Sequence, residues 1–300
     1  MATWRGCPVP ADLFGGVELG GTKCVAVLAR GVTILDRLAV PTTAPAATLA
    51  PIAAWLAERR ANLAALGIAS FGPVRLARDA PDYGFILDTP KPLWSRTSVL
   101  APFQSLALPT RLDTDVNAGA LAGHAWGAGR GATSLTYATI GTGIGTGILV
   151  DGRPLQGRLH PEGGHLRLGK ATDGFPGVCP FHEDCVEGLL SGPALATRFG
   201  CNPASLRPDD SRWEAPVTDL ARFLSTLLLL LALERILLGG SVALGQPRLV
   251  AAALARMDGE LGRYPGEIDP VALGRLIVPP VLGVDAGSLG AIRLAQLAMQ

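Results

Sequence analysis

Two short segments rich in glycine and threonine constrain the fold of this chain more than any other feature. One is Gly-Gly-Thr at residues 20–22, which lies between two short apolar runs. The other is Gly-Thr-Gly-Ile-Gly-Thr-Gly at residues 141–147, between residues 134–140 and 148–150. Glycine permits the positive φ that a tight turn needs, so each segment predicts a β-hairpin. The repetition predicts two similar halves, which can face one another across a cleft.

Apolar spacing elsewhere predicts alternating strands and helices. Further strands are predicted at residues 32–40, 68–71 and 110–113. Residues 48–66 have apolar side chains at helical spacing and predict the first long helix, ended by Gly67. A second helix is predicted at residues 117–126, and residues 152–185 are predicted to be loops. The last third predicts long helices interrupted by glycine and proline pairs. This order is typical of an α/β protein.

Composition excludes several classes of protein. Of the 300 residues, 48% are hydrophobic and 17% are charged, so the chain can bury a large core and is not mainly disordered. The net charge of +1 disfavours a nucleic-acid partner. The most apolar run, residues 223–233, is roughly half as long as a membrane span and predicts a buried helix. Residues 1–10 show no signal peptide, and five cysteines do not suggest a disulfide framework. We expect a cytoplasmic protein without a nucleic-acid or membrane partner.

The two glycine-rich turns are candidates for phosphate binding. Glycine lets a phosphate approach the backbone, whose N–H groups donate to its oxygens, and threonine adds a hydroxyl. Either turn alone is also consistent with a purely structural role. Neither matches a Walker A loop or opens a helix as a dinucleotide fingerprint does. A nucleotide, if bound, is therefore expected between hairpins.

Asp115 is a candidate general base. It follows a short predicted strand, in the sequence Asp113-Thr114-Asp115-Val116-Asn117, and precedes a predicted helix. A carboxylate there can accept the proton of an attacking hydroxyl, a contribution of ~10²–10⁴ in rate. The same residue types are favoured as helix N-caps, so this segment alone leaves both interpretations open.

Cysteine and histidine residues form a candidate metal site. Cys179, His182 and Cys185 are spaced Cys-x₂-His-x₂-Cys, and His165 lies upstream. Together they supply four nitrogen and sulfur ligands, the number that a closed tetrahedral zinc site needs. A disulfide between the two cysteines and a pair of free thiols are the alternatives. His160 is a possible substitute ligand, but we interpret it as a loop residue.

The order of these motifs resembles the ROK family of sugar kinases, from about residue 15 to the C-terminus. The motifs are Val17-Glu18-Leu19-Gly20-Gly21-Thr22-Lys23, Asp115-Val116-Asn117, Gly141-Thr142-Gly143-Ile144-Gly145, Glu162-Gly163-Gly164-His165 and the Cys/His cluster ending at Glu187. Several segments are most similar to the zinc-containing bacterial fructokinase branch. These are Ser70-Phe71-Gly72-Pro73, Tyr83-Gly84, Thr89-Pro90-Lys91-Pro92 with Trp94, and Cys179-Pro180-Phe181-His182.

The resemblance implies a role for each matching residue. Asp115 matches the catalytic base on the sugar hydroxyl. The residues that match sugar contacts are Glu162, His165, Glu187 and Thr114. The residues that match the phosphate loops and nucleotide surroundings are Gly20, Gly21, Thr22, Lys23, Gly141, Thr142, Gly143, Pro193, Gly239, Gly240 and Ser241. The implied ligands of a structural zinc are His165, Cys179, His182 and Cys185.

The resemblance also implies an architecture and partners. It implies two α/β lobes of the ribonuclease H/actin-like ATPase type around a cleft, with a zinc-pinned loop. Residues 1–117 would form the N-terminal lobe, completed by a C-terminal helix at about 286–300, and residues 118–285 the other lobe. We expect a homodimer that uses ATP, Mg²⁺ and Zn²⁺ and acts on a small-molecule sugar.

The sequence departs from the family pattern at five positions, one of which, Leu233 in place of a common proline, is interpreted as structural. Glu18 replaces the usual aspartate, as in the fructokinase branch, and the extra methylene can move Mg²⁺. Thr114 replaces a frequent asparagine, which leaves the sugar less defined. Thr146 and Ser241 stand where glycine is commoner, which can tighten the phosphate turn and the nucleotide pocket.

The leading hypothesis is ATP-dependent phosphorylation of fructose to fructose 6-phosphate. A kinase for glucose, mannose or an N-acetylhexosamine is the alternative within the same class. A sugar-sensing repressor of the family needs a helix-turn-helix domain, for which the roughly 15 residues before the first strand are too few. A non-catalytic sugar-binding protein is the third class, and the presence of Asp115 argues against it.

Overall fold

The computed structural model of the chain describes residues 12–300 except 170, 208, 263, 265 and 267. The prediction about a signal peptide in residues 1–10 lies outside the described residues. The strands are β1 (Phe14–Leu19), β2 (Lys23–Arg30), β3 (Thr33–Pro41), β4 (Leu66–Ser70), β5 (Thr110–Thr114), β6 (Ser134–Ile140), β7 (Ile144–Val150), β8 (Arg153–Pro154), β9 (Arg235–Gly239) and β10 (Ile277–Val278). The helices are α1 (Pro45–Ala57), α2 (Asp115–Trp126), α3 (Val186–Leu190), α4 (Gly192–Phe199), α5 (Glu214–Leu231), α6 (Ser241–Gly245), α7 (Pro247–Leu261), α8 (Pro270–Leu276) and α9 (Ala286–Leu297).

The described chain divides into two compact units. Unit 1 runs to Ala118 and includes Asp285–Gln300, whereas unit 2 is Gly119–Val284. The sheet of unit 1 has the order β3-β2-β1-β4-β5, and that of unit 2 has the order β10-β9-β6-β7-β8. In each sheet the first strand of an antiparallel hairpin pairs in parallel with a later strand. The two connectivities are the same when one order is reversed, which confirms the predicted α/β class and the repetition.

Helix α9 completes the core of unit 1. Strand β4 is buried along its whole length, and α9 packs against β1 and β4. The contact is unusually close at Gly67, where an added Cβ would lie 1.8 Å from the carbonyl oxygen of Ala291. At Gly16 an added Cβ would lie 3.1 Å from the side chain of Ala291. The approach of α9 to the sheet therefore depends on the absence of a side chain at Gly67.

Helix α5 forms the centre of the core of unit 2. It packs against α7, and its buried side chains include Phe223, Leu224 and Leu228. The predicted buried helix at residues 223–233 is confirmed for its first part. Leu230, near the C-terminus of α5, is 71% exposed. Among the described residues, no helix has both the length and the apolarity that crossing a bilayer requires.

The first predicted helix extends too far. Helix α1 ends at Ala57 instead of continuing to residue 66, and Gly67 lies inside β4 instead of ending a helix. The backbone N–H of Leu66 donates to Pro109 (2.9 Å), and β4 pairs in parallel with both β1 and β5. Pairing on both sides of the strand outweighs the helical preference of its residues.

Two further predictions differ from the structure in unit 2. The turn predicted over residues 141–147 is only three residues long, because Gly145 and Gly147 lie in β7 and pair with β6. Strand β9 occupies a region predicted to be helical. Its apolar run is too short for periodicity to separate a buried strand from a buried helix, and parallel pairing with β6 decides the outcome.

We expect Gly67→Ala to lower the free energy of unfolding by at least ~2 kcal/mol, because α9 must move away from β4 to accommodate the methyl group. Urea unfolding followed by circular dichroism measures the change. Gly259→Ala is the matched control, since Gly259 is exposed in α7 and an added Cβ meets nothing within 4 Å. Helix propensity predicts that this control gains ~0.5–1 kcal/mol. Equal stability of the two variants would contradict the proposed contact.

Candidate functional site

The β1–β2 turn is fixed by hydrogen bonds to its backbone. The N–H of Gly20 donates to Lys23 O (3.2 Å), and the hydroxyl of Thr42 donates to Gly20 O (2.8 Å). A Cβ on Gly20 would lie 2.6 Å from Lys23 O, so the turn needs glycine there. Gly21, Thr22 and Lys23 are exposed. Their backbone N–H groups and the Lys23 ammonium are suited to an anionic ligand.

Glu18 lies next to this turn, one residue before the end of β1. Its Oε2 accepts a hydrogen bond from the hydroxyl of Ser288 (2.8 Å), and a Cβ on Gly287 would lie 2.2 Å from its Oε1. Burial raises the pKa of the Glu18 carboxyl, against the opposing effects of Ser288 and Lys23. The N-terminus of α9 thus fixes the longer side chain that replaces the family's usual aspartate.

Asp115 is the first residue of α2, at the end of β5. The hydroxyl of Thr114 accepts the N–H of Asn117 (3.1 Å), so Thr114 caps the helix. Asp113 is buried and accepts the side-chain amide of Asn117 (2.7 Å). The Asp115 carboxylate instead accepts the neighbouring N–H of Val116 (2.8 Å). The capping role that the sequence left open for Asp115 is performed by Thr114.

The β6–β7 turn brings together most of the predicted nucleotide residues of unit 2. The N–H of Gly192 donates to Gly141 O (2.8 Å), which places Pro193, in the first turn of α4, beside the turn. A Cβ on Gly141 would lie 3.4 Å from the hydroxyl of Ser241. Thr142 is exposed at the apex. Three segments far apart in sequence therefore converge on one backbone turn.

Gly240 ends β9 with a conformation that few other residues adopt. Its φ is +91°, and an added Cβ would lie 2.3 Å from Ile140 O at the end of β6. The preceding residue, Gly239, would place a Cβ 3.1 Å from the hydroxyl of Tyr137. The Gly-Gly pair thus lets β9 turn directly into α6, with Ser241 facing the β6–β7 turn.

Glu187 links the β6–β7 turn to the predicted sugar site. It lies in the first turn of α3, and its Oε2 accepts the N–H of Ile144 (2.8 Å). A Cβ on Gly143 would lie 2.8 Å from the same oxygen. The hairpin and this carboxylate therefore hold one another in place.

The segment Glu162–His165 is fixed against β7. The N–H of Gly163 donates to the hydroxyl of Thr146 (3.1 Å), and a Cβ on Gly164 would lie 2.0 Å from Ile144 O. Thr146 is buried within β7, so it supports this segment and is not part of the turn that it was expected to tighten. The sequence did not reveal this role, because the partner of Thr146 is 17 residues away.

Glu162 and Glu187 lie near enough to influence one another. Burial, and to a lesser extent the nearby charge of Glu187, raise the pKa of the Glu162 carboxyl to about 7. His160 lies in a loop, as predicted, and is buried with its Nδ1 3.4 Å from Glu162 Oε1. Burial lowers the pKa of His160. This group of side chains offers both donors and acceptors to a polyhydroxylated ligand.

The structure assembles the predicted metal-ligand cluster. The ligand atoms of His165, Cys179, His182 and Cys185 all lie within 4.8 Å of one another. His165 Nδ1 is 3.7 Å from Cys179 Sγ and 3.6 Å from Cys185 Sγ, and His182 Nδ1 is 3.8 Å from Cys179 Sγ. Nitrogen and sulfur ligands of one tetrahedral zinc are separated by about 3.6 Å, given the usual bond lengths. His160 is not part of the cluster.

The thiols of the cluster are suited to a cation. Cys179 and Cys185 are free and buried, so the structure does not contain the alternative disulfide. Burial raises the pKa of the Cys185 thiol to about 11. Because metal ligation needs the thiolate, a bound cation would supply the compensation that burial demands.

A buried arginine anchors the loop that carries this cluster. The Arg198 side chain is 2% exposed, and it donates to Asp173 in the loop (2.7 and 2.8 Å) and to Asp219 of α5 (2.7 Å). It also donates to Leu189 O (3.3 Å) in α3. Burial raises the pKa of Asp219, whereas the hydrogen bonds of Arg198 lower that of the more exposed Asp173. The spacing of residues in the sequence does not predict this network, because its members belong to separate elements.

Comparison with known proteins agrees with this geometry. The model of the ROK family matches residues 14–298. The chain belongs to the ROK family, which accounts for its two mixed sheets and its sugar-kinase motifs.

Two curated relatives and one solved structure resemble the chain over nearly its whole length. The fructokinase of Zymomonas mobilis is 38% identical, over 94% of this chain and 96% of the relative. The fructokinase of Pediococcus pentosaceus is 34% identical, over 96% and 99%. The crystal structure of a ROK hexokinase from Thermus thermophilus is 26% identical, with a TM-score of 0.75 over 96% and 99% of the two chains. The chain is a ROK sugar kinase.

We expect Arg198→Met to lower the free energy of unfolding by ~3–5 kcal/mol, because it leaves Asp219 buried without its partner. Urea unfolding monitored by tryptophan fluorescence measures the loss. Arg207→Met removes the exposed Arg207–Asp209 pair, whose side chains are 82% and 62% exposed, and is the control. The control is expected to change stability by less than ~1 kcal/mol. Similar effects of the two variants would contradict an anchoring role for Arg198.

Proposed function

We propose that this protein phosphorylates fructose with ATP to give fructose 6-phosphate. The observation that carries the proposal is the similarity to two fructokinases, at 38% and 34% identity over at least 94% of the chain. The fructokinase-like segments of the sequence, including Lys91 and the cluster at 179–185, point to the same branch. Its family uses ATP, which fits the two glycine-rich turns.

Asp115 is proposed as the general base. A sugar hydroxyl oxygen forms a bond to the terminal phosphorus of ATP, the bond between that phosphorus and the bridging oxygen breaks, and ADP leaves. The hydroxyl proton passes to the Asp115 carboxylate. The N–H of Asn117 is capped by Thr114, and the Asp115 carboxylate accepts the neighbouring N–H of Val116. Phosphoryl transfer depends mainly on positioning and charge stabilisation. The protein therefore needs to supply one general base, and it needs no covalent intermediate.

The proposed contacts of the two substrates follow from the matched residues. Glu162, His165, Glu187 and Thr114 would hold the sugar hydroxyls. The nucleotide phosphates would lie against the turns at Gly20–Lys23 and Gly141–Gly143, with Pro193, Gly239, Gly240 and Ser241 around the nucleotide. Mg²⁺ bound with ATP would supply neutralising charge. Glu18 of β1, whose carboxylate accepts a hydrogen bond from Ser288, is the side chain proposed to lie near that ion.

A zinc ion is proposed for the cluster of His165, Cys179, His182 and Cys185. The donor set and its separations fit zinc. Zinc would have a structural role, fixing the loop that contains His165 and leads to Glu187. The expected homodimer is supported by the family resemblance alone.

A kinase for another hexose is the second candidate. The Thermus thermophilus structure, described as a hexokinase, favours this alternative. Recognition of hydroxyl groups depends on small differences in geometry around Glu162 and Thr114, and these residues do not separate fructose from glucose or mannose. A non-catalytic sugar sensor is less favoured, because such a protein would not need Asp115.

Coupled measurement of ADP release with Mg-ATP tests the proposal. We expect kcat/KM for fructose to exceed that for glucose, mannose, N-acetylmannosamine and N-acetylglucosamine by at least about tenfold. A preference for one of the other sugars would replace fructose as the substrate. Absence of turnover on every sugar, from folded protein, would reject the kinase and favour a sensor.

The matched variants in this assay are Asp115→Asn and Asp79→Asn. Loss of the base is expected to reduce kcat by ~10²–10⁴-fold with little change in either KM. Asp79 is exposed in a turn of the same unit, so its variant makes the same chemical change away from the site and should retain full activity. An active Asp115→Asn variant would place the base elsewhere.

Zinc removal gives a separate prediction. We expect a chelator to lower the melting temperature by at least about 4 °C and to weaken fructose binding, because the loop loses its crosslink. Calorimetry measures the melting temperature and the affinity for fructose. Before the chelator is added, mass spectrometry of the metal should find one zinc per chain. Cys179→Ser should abolish zinc binding, whereas Cys201→Ser, outside the cluster, should not. Chelation without effect on stability or on binding would remove the structural role.

A further inference from the structure

The lysines of this chain have an unusual distribution. The chain has 26 lysines and arginines, and only Lys23, Lys91 and Lys170 are lysines. Arginine therefore serves at nearly every basic position. A lysine retained against such a bias suggests a place where a compact ammonium is needed, since the planar guanidinium is not equivalent to it.

Two of the three lysines meet at the β1–β2 turn. Lys23 begins β2. Lys91 belongs to the long segment between β4 and β5, yet its ammonium donates to the carbonyl oxygen of Gly21 at the apex of the turn. A Cβ added to Gly21 would lie 3.9 Å from Lys91 Nζ. The fold thus adds a second ammonium to a turn proposed to bind phosphate.

Fixed groups determine the position of the Lys91 ammonium. Its Nζ lies 5.2 Å from the centroid of the Phe71 ring, a cation–π distance. Trp94 packs edge-on against that ring, with centroids 5.0 Å apart. The Trp94 side chain is fully buried and donates to Thr43 O (2.8 Å). The segment that carries Lys91 is therefore anchored three residues further on.

Lys91 has unused capacity to bind an anion. An ammonium has three N–H donors, and the contact with Gly21 O uses one of them. Among the residues that the structure describes, no carboxylate forms an ion pair with Lys91. Burial lowers the pKa of Lys91, whereas the nearby Cys24 thiol acts in the opposite direction. A partly buried cation without a counter-charge is stabilised by an anionic ligand.

We propose that Lys91 binds the terminal phosphate of the nucleotide at the β1–β2 turn, as a second cation beside Lys23. This inference rests on the proposed function, because it takes the anion to be ATP. Lys91 keeps its proton throughout. Its charge stabilises the phosphoryl group while the bond to ADP breaks and the bond to the sugar oxygen forms. Its contact with Gly21 also holds the turn in the conformation that receives the phosphate.

Nucleotide binding without sugar tests this assignment. Calorimetry gives the Kd of ADP and of a non-hydrolysable ATP analogue for the wild type, Lys91→Met and Lys91→Arg. A charge-assisted hydrogen bond to the terminal phosphate predicts that Lys91→Met weakens the analogue by about 10- to 100-fold more than ADP. Lys91→Arg should recover part of this difference. In turnover assays, Lys91→Met should reduce kcat and raise the KM for ATP, leaving the affinity for fructose unchanged.

Arg30→Met is the matched control. Arg30 ends β2 at the opposite end from the turn, roughly 23 Å away along the strand, and forms an exposed pair with Asp12 (2.9 Å). It removes one positive charge and should not change either nucleotide affinity. If Lys91→Met does not fold, Lys91→Gln can still donate to Gly21. The affinities of that variant for ADP and the analogue are then compared in the same way.

Two results would overturn the assignment. One is an equal loss for ADP and the analogue, which would make Lys91 a structural clamp. The other is a weaker affinity for fructose with unchanged nucleotide binding, which would make it a sugar contact. Absence of fructose turnover by the wild type would reject the proposed function alone, because the nucleotide comparison is made without sugar.

Discussion

Backbone contacts that leave no room for a Cβ are the constraint on which the rest of this structure depends. Gly67 allows α9 to lie directly against β4, and Gly240 allows β9 to turn beneath the end of β6. Gly164 brings its segment onto the backbone of β7 at Ile144. Such contacts fix the distance between elements more tightly than side-chain packing, because main-chain atoms cannot change rotamer. The candidate site residues lie at or next to the ends of these elements, so the same backbone contacts fix their positions.

The candidate sugar residues of unit 2 have several independent supports. The Thr146 hydroxyl accepts the N–H of Gly163, next to Glu162, and the Glu187 carboxylate accepts the N–H of Ile144 at the start of β7. Arg198 attaches the loop to α4 and α5 through the carboxylates of Asp173 and Asp219. The Cys/His cluster would be a third support when metal-bound, with ligands on both sides of Asp173. Without the proposed zinc, Arg198 would still hold the middle of the loop, so the effect on the site would be graded.

Sequence predicted the parts of this molecule whose signals are local. The hairpins, the helix α2 and the ligand spacing of the cluster each occupy a short segment, and the structure contains all of them. The error at residues 48–66 arose because β4 is specified by partners on both sides, whereas its own residues are compatible with a helix. Strand β9 was missed for the same reason. Thr146 and Arg198 were missed because their partners are distant in sequence, and the spacing rules that found Cys179 and His182 do not apply to them.

Electrostatic arrangement distinguishes the two glycine turns, although their strand connectivity is the same. The β1–β2 turn has two ammonium groups, Lys23 and Lys91, and its nearest strand carboxylate, Glu18, is bound by Ser288 at the start of α9. At the β6–β7 turn, the carboxylate of Glu187 instead accepts a hydrogen bond from the N–H of Ile144, the first residue of β7. A phosphate near the second turn would have the Glu187 carboxylate close by, whereas one near the first turn would have two ammonium groups close by. The first turn is therefore better suited to the terminal phosphoryl group, whose charge changes most during transfer. The second turn is better suited to the neutral hydroxyls of a sugar and to the less reactive part of the nucleotide.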